Sequence, residues 1–263
     1  QSGGPGSALW KTTDGGDSWT KVEGPGWPTG MLGRIGLDIS RSNPQVMYAL
    51  VEAEATEENP SPSGLYRSTD GGMSWEQMNS TNVRPFYYSQ VRVDPKDPNR
   101  VYWSSTPVNV SNDGGQTIGT TTEGIHVDHH AMWIDPVDPE RMVVGNDGGI
   151  GVTFDRGGNW LFPNTMPLGQ FYEVSYGMEM PYTVCGGLQD NGSWCGPSRV
   201  RNGSITNYMW YNVGGGDGFY TAQDPELPEI VYYESQGGSM GRINTRTGDQ
   251  MSLPKPGGGR GAF

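Results

Sequence analysis

Thr12-Thr-Asp14-Gly-Gly16-Asp-Ser-Trp19 and Ser68-Thr-Asp70-Gly-Gly72-Met-Ser-Trp75 are two copies of one pattern, Ser/Thr-x-Asp-x-Gly-x-x-Trp. A third copy is Thr153-Phe-Asp155-Arg-Gly157-Gly-Asn-Trp160. A degenerate fourth, Ser111-Asn-Asp113-Gly-Gly115, has Ile118 where Trp is expected. Glycine supplies the positive φ of a tight hairpin turn. The short Asp side chain can accept hydrogen bonds from the amides of its own turn. Asp14, Asp70, Asp113 and Asp155 are therefore read as structural rather than catalytic. Trp19, Trp75 and Trp160 fall on the following strand, where they are expected to pack between neighbouring sheets.

A second pattern stands before these turns: an apolar strand, a proline turn, then another strand. Its copies are Ile35–Ile39 with Val46–Val51, Val91–Val93 with Val101–Ser104, and Met132–Ile134 with Met142–Val144. Two more are Tyr172–Tyr176 with Tyr182–Cys185, and Phe219–Ala222 with Ile230–Tyr233. The turn prolines Pro44, Pro98, Pro139, Pro181 and Pro228 step by 54, 41, 42 and 47 residues. Four short strands, here A to D, recurring at this period make a propeller blade. The expected fold is an all-β propeller of four-stranded blades with about five blades present. A sandwich would not repeat its hairpins at fixed spacing. Expected blade ends lie near residues 30, 82, 122, 166 and 212, with the Gly/Pro run 254–261 as a linker to a further blade.

Composition agrees. Of 263 residues, 42 are Gly and 20 Pro, against a helical bundle. Charged residues reach only 17 % and aromatics 11 %, which argues against disorder. No apolar run approaches the roughly 18 residues that span a bilayer. The net charge of −12 repels phosphate backbones, so nucleic acid is not an expected partner. Cys185 and Cys195 fall on adjacent predicted strands, a spacing that suits a disulfide and with it an oxidising compartment; two free thiols are the alternative.

The turn pattern resembles the Asp-box, or BNR, repeats of sialidases, xyloglucanases and sortilin-like proteins. Other stretches extend the likeness: Gly33-Arg-Ile-Gly36, His126-x-Asp-His-His-Ala-Met-Trp-Ile-Asp-Pro136, Gly145-Asn-Asp-Gly-Gly149, Gly187-Leu-Gln-Asp-Asn-Gly-Ser-Trp194 and Gly214-Gly-Gly-Asp-Gly-Phe219. They are similar to the large secreted bacterial proteins with sortilin-like BNR propellers, often labelled glycosyl hydrolases. The resemblance implies an internal stretch with further blades on either side, from the same polypeptide or another copy. It also implies a secreted, periplasmic or cell-surface location.

In a propeller the B–C and D–A loops share one face, where ligands are usually bound. Seven residues before Asp94, Asp135 and Asp224 stand Tyr87, Asp128 and Asp217, and Gln170 lies near the same position in another blade. B–C loops add Glu52, Asp147, Asp190 and Asn191. All three histidines, His126, His129 and His130, flank Asp128. In an extended segment His126, Asp128 and His130 would point to one side and His129 to the other. Such a set can hold Zn²⁺, act as an acid or base, or form a hydrogen-bonded rim. Carboxylates on the glycine-rich loops suit Ca²⁺, sugar hydroxyls or a glycosidase pair, and also simple turn capping. Trp194, Trp210 and Tyr211 could stack on sugars or pack between blades.

Three functions follow. The first is a non-catalytic module or scaffold binding protein or polysaccharide. The second is a glycoside hydrolase using Asp128 with Asp147 or Asp217. The third is a metal-dependent hydrolase centred on His126, Asp128, His129 and His130. Sialidase activity is not expected, because the arginines are scattered rather than clustered.

Overall fold

A computed structural model describes residues 3–163, 166, 168–201 and 203–255. Most of the expected linker, residues 254–261, lies outside them. The chain divides into two compact units, residues 1–163 and 164–263. Among the described residues there is no α-helix, only strands and two short 3₁₀ turns.

In the first unit Trp10–Lys11 (β1) and Thr20–Lys21 (β2) form a two-stranded hairpin. A four-stranded sheet follows: Leu32–Ile39 (β3), Met47–Ala53 (β4), Gly64–Ser68 (β5) and Glu76–Asn79 (β6). The next is Val91–Val93 (β7), Val101–Trp103 (β8), Val108–Ser111 (β9) and Gly119–Thr121 (β10). The last holds His129–Ile134 (β11), Met142–Asn146 (β12) and Gly149–Thr153 (β13). Leu161 bridges to Val152 where a fourth strand would lie.

The second unit has two four-stranded sheets. One is Phe171–Tyr176 (β14), Thr183–Leu188 (β15), Gly192–Pro197 (β16) and Tyr211–Gly214 (β17). The other is Thr221–Gln223 (β18), Ile230–Ser235 (β19), Ser239–Asn244 (β20) and Gln250–Leu253 (β21). Every sheet is an antiparallel meander in sequence order, and these are blades of a β-propeller.

The turns explain the period. Between the first two strands of three blades an Asp-Pro turn closes on its own carboxylate. Asp94 accepts from the amides of Lys96 (2.9 Å) and Asp97 (3.2 Å). Asp135 does the same for Val137 and Asp138, and Asp224 for Glu226 and Leu227.

The Ser/Thr-x-Asp-x-Gly turns are more closed still. In one, the Ser111 hydroxyl donates to Asp113 Oδ1 (2.7 Å) and accepts from the Gly115 amide (2.8 Å). Asp113 also takes the Thr117 amide (2.9 Å) and hydroxyl (2.7 Å). The same wiring recurs around Asp14, Asp70 and Asp155. These bonds stabilise the ionised carboxylate. They hold Asp113 and Asp155 at about 2 and push Asp14 and Asp70 lower still.

Apolar strand positions fill the spaces between neighbouring sheets. Leu50, Leu65, Val91, Val101 and Trp103 form one such cluster in the first unit. Each buried aliphatic side chain contributes about 1.5–3 kcal/mol. In the second unit Val213, Val231 and Ile243 pack with Cys185 and Cys195. These two cysteines are opposite one another on β15 and β16 and are joined as a disulfide. The tryptophans of the turns differ from the expectation of uniform packing. Trp75 is buried against Trp27, with ring centroids 4.9 Å apart. Trp19 is 57 % exposed, and its indole Nε1 donates back to Gly16 of its own turn. The reason is local: β1 and β2 are both exposed, so that hairpin supplies little apolar surface to cover a ring.

Candidate functional site

In the first unit the loop before β7 builds a polar, aromatic rim. Arg84 takes a left-handed backbone (φ 42), and its carbonyl accepts the amides of Tyr87 (2.8 Å) and Tyr88 (3.1 Å). This turn sets the two tyrosine rings 5.0 Å apart, edge to face. The Arg34 guanidinium clamps the loop from β3, donating to the carbonyls of Phe86 (2.8 Å) and Tyr87 (2.9 Å). Arg34 is itself placed by Glu52, whose carboxylate accepts the Arg34 amide (3.2 Å). A Cβ on Gly33 would fall 2.1 Å from that carboxylate, so any other residue there would push the Glu52 side chain aside.

The two tyrosines reach two aspartates. Tyr88 donates its hydroxyl to Asp128, and Tyr87 donates to Asp147 Oδ2 (2.8 Å). His130 Nε2 lies 3.3 Å from Asp147 Oδ1. Its ring stands edge-on to Tyr87 at 4.4 Å and stacks on Tyr88 at 5.8 Å. Burial first, then the bond to Asp128, pushes the Tyr88 hydroxyl up to about 12, so it remains a donor throughout the physiological range. Carboxylate oxygens of Asp128 and Asp147 come within 4.8 Å of one another. Above Tyr87, the Arg84 guanidinium lies 4.3 Å from the ring centroid.

The histidines separate. Asp128 has a left-handed backbone (φ 60), and the pairing of β11 with β12 shifts between His129 and Ala131. The segment is therefore not a uniform strand, and its side chains do not simply alternate. His130 turns to Asp147 and the tyrosines. His129 is only 1 % exposed, and neither ring nitrogen has a hydrogen-bond partner. Burial depresses its pKa to about 4. His126 lies against the Gly148 backbone, and its carbonyl accepts from Asn146 (2.7 Å). Among the described residues, no group of three or more that includes a histidine brings its ligand atoms within 4.8 Å of one another.

In the second unit a set of polar contacts forms around the loop between β17 and β18. Asp217 Oδ1 accepts the Asp190 amide (2.7 Å), and its Oδ2 accepts Gln236 Nε2 (2.8 Å). Asp190 is left-handed (φ 59). The Trp194 indole donates to the Asn191 carbonyl (2.7 Å), so Trp194 holds a loop. Trp210 covers Gly196, where a Cβ would come within 2.4 Å of its ring. The Gln170 carbonyl accepts the Gln189 amide (3.0 Å). Tyr211, 40 % exposed, begins β17. The stacked pair of this unit is instead Tyr172 on Phe219, with centroids 5.2 Å apart and planes 18° apart. Sequence reading passed over this pair and also over Arg34, Arg84 and Tyr88. The run Arg84-Pro-Phe-Tyr-Tyr88 was the available signal for the last two.

These sheets and loops define a β-propeller with aromatic and acidic loops. No protein-family model matches the sequence, and no curated protein sequence matches it. Several solved structures are similar. One is a GH74 xyloglucanase from Xanthomonas campestris, 13 % identical over 83 % of this chain, with a TM-score of 0.39. Another is a nidogen/laminin complex, 14 % identical over 89 % of this chain and 82 % of that one, with a TM-score of 0.42. A third is YCF48 bound to D1 peptide, 14 % identical over 94 % of this chain and 75 % of that one, with a TM-score of 0.41. The chain spans 38 % of the length of the xyloglucanase and 37 % of a GH74 enzyme from Niastella koreensis. Similarity at this level says nothing of what the chain binds. No helix among the described residues is long and apolar enough to cross a membrane.

Proposed function

We propose that this chain is part of a secreted Asp-box propeller of the sortilin-like kind and works as a binding module for a protein or polysaccharide. The observation that carries this reading is the use of the rim carboxylates. Asp128 and Asp147 each accept a tyrosine hydroxyl, and Asp147 also faces His130. Groups held in this way present a fixed surface of rings and acceptors, which lowers the ordering cost of binding. The four Asp turns supply no chemistry, since each carboxylate is consumed by its own turn. The disulfide supports an oxidising compartment.

A second reading rests on one distance. Asp128 and Asp147 bring carboxylate oxygens within 4.8 Å of one another, so the two acids are near enough to act together, as a glycosidase pair must. One experiment separates the two. The protein is passed over immobilised neutral polysaccharides and extracellular-matrix proteins, and sugar release is assayed in parallel. Retention without turnover, weakened several-fold by Tyr87→Phe, is expected. Turnover abolished by both Asp128→Asn and Asp147→Asn would replace the binding module with a hydrolase. Neither retention nor turnover would overturn the binding reading.

A further inference from the structure

In the second unit, Tyr172 of β14 stacks on Phe219 beside Asp217, whose loop is held by backbone hydrogen bonds. The Gly218 amide donates to the Leu188 carbonyl (2.9 Å), and the Gly192 amide to the Gly216 carbonyl (2.7 Å). Phe219 is tied by its amide to the Glu234 carbonyl (3.0 Å). A Cβ on Gly187 would meet the Gly218 backbone at 2.2 Å, and one on Gly218 would meet Gly192 O at 2.3 Å. The loop thus lies directly on the backbone of β15 and its turn. Tyr172 is 44 % exposed, so the stacked pair is open to a ligand.

Both donors to Asp217 are neutral, a backbone amide and a Gln side chain, so its negative charge is solvated but not cancelled by them. Partial desolvation first, then the charges of Asp217 and Asp190, pushes the Tyr172 hydroxyl pKa up. Both of the charges that raise it are acidic. Among the described residues, no Lys or Arg lies over Tyr172 or Phe219; the cation–ring contacts are to other rings. The first unit shows what such a set accepts. There Arg84 covers Tyr87, whose hydroxyl is bound to Asp147, and the neighbouring Tyr88 is bound to Asp128. A guanidinium on a ring flanked by carboxylates gains both cation–π and Coulomb attraction.

We infer that the Tyr172–Phe219 pair with Asp217 is a receptor for a guanidinium or ammonium group carried by a basic segment of a protein partner. This rests on the binding-module reading and names the chemistry of the partner. The net charge of −12 favours encounter with such a segment.

The probe is an N-acetylated tetra-arginine amide, titrated calorimetrically, with the tetra-citrulline peptide as its neutral isostere. Saturable binding to the arginine peptide is expected, with none to citrulline. Asp217→Asn and Tyr172→Ala should each weaken it about tenfold. Glu226→Gln, which removes one exposed charge elsewhere in the unit, should leave it unchanged. Phe219→Leu, an apolar replacement, is a second ring variant if Tyr172→Ala melts early. Equal weakening by Glu226→Gln and Asp217→Asn would overturn the site as nonspecific attraction. Equal binding of citrulline would overturn the cation. Binding of a neutral oligosaccharide lost in Tyr172→Ala, without peptide binding, would overturn the cationic assignment and keep the binding module. Loss of all retention in the earlier column experiment would remove the module reading itself.

Discussion

At the scale of single residues, His129 has the clearest consequence. It is buried, its ring nitrogens lack partners, and its pKa falls from an unfolded 6.5 to about 4. Burial is the first cause, and the neighbouring His126 and His130 add to it, while Asp128 and Asp147 oppose it. A depressed histidine pKa means that the unfolded chain binds the proton first. The protonation-linked part of the cost of burying it is therefore absent above about pH 6.5 and grows as pH falls towards 4, to about 3 kcal/mol. His129→Leu should leave stability at pH 7 equal or higher and flatten its decline between pH 6.5 and 4. Urea midpoints at several pH values would check this, and an unchanged pH profile would sink it. None of this was legible in the sequence. The run His126-x-Asp-His-His130 reads as one polar cluster, and only the left-handed Asp128 with the adjacent register shift sends His129 inward. The tyrosine–aspartate pairs were equally hidden, because their partners are 40 and 60 residues apart.

At the scale of the element, the Asp turns are the part most fully written in the sequence. Their spacing names the serine or threonine, the aspartate and the glycine, and the observed bonds join those same residues. What the pattern does not carry is the surroundings of each turn. Trp75 finds Trp27 to pack against while Trp19 remains exposed, although both close the same pattern. The turns also set an acid limit distinct from that of His129. Their carboxylates titrate well below the unfolded Asp value of about 3.9, so the stability they contribute is present above that value. It is lost as pH falls from about 4 through about 2. Asp113→Asn, which keeps an acceptor but no charge, should lower stability most above about pH 4, where the ionised carboxylate contributes in full, and progressively less as pH falls towards 2. Urea midpoints followed by circular dichroism at pH 6 and pH 3 would test this; a loss at pH 3 as large as that at pH 6 would contradict it.

At the scale of the whole molecule, the repeat of proline turns marks the blades, and the sheets from β3 to β21 follow it, with three strands instead of four in the blade of β11 to β13. The division into two compact units was not announced, since it depends on packing between blades rather than on any one motif. The disulfide belongs to the second unit, bridging residues 10 apart on paired strands. Loop-closure entropy for so short a loop is worth about 3 kcal/mol. Reduction, or the Cys185→Ser/Cys195→Ser double variant, should lower hydrogen-exchange protection in residues 168–255 and spare residues 3–163. Equal loss in both ranges would mean that the units unfold as one.

The self-sufficiency of the Asp turns reaches beyond stability. Each turn is latched by side chains within five residues of its aspartate, so a duplicated stretch of gene carries its own latch to the new place. The turn of a copy inserted in register closes on its own bonds, while its tryptophan still depends on neighbours to pack against. The 41- to 54-residue period is in that sense a unit of inheritance as well as a unit of architecture, and lineages can lengthen such a chain by copying before they refine what each copy touches.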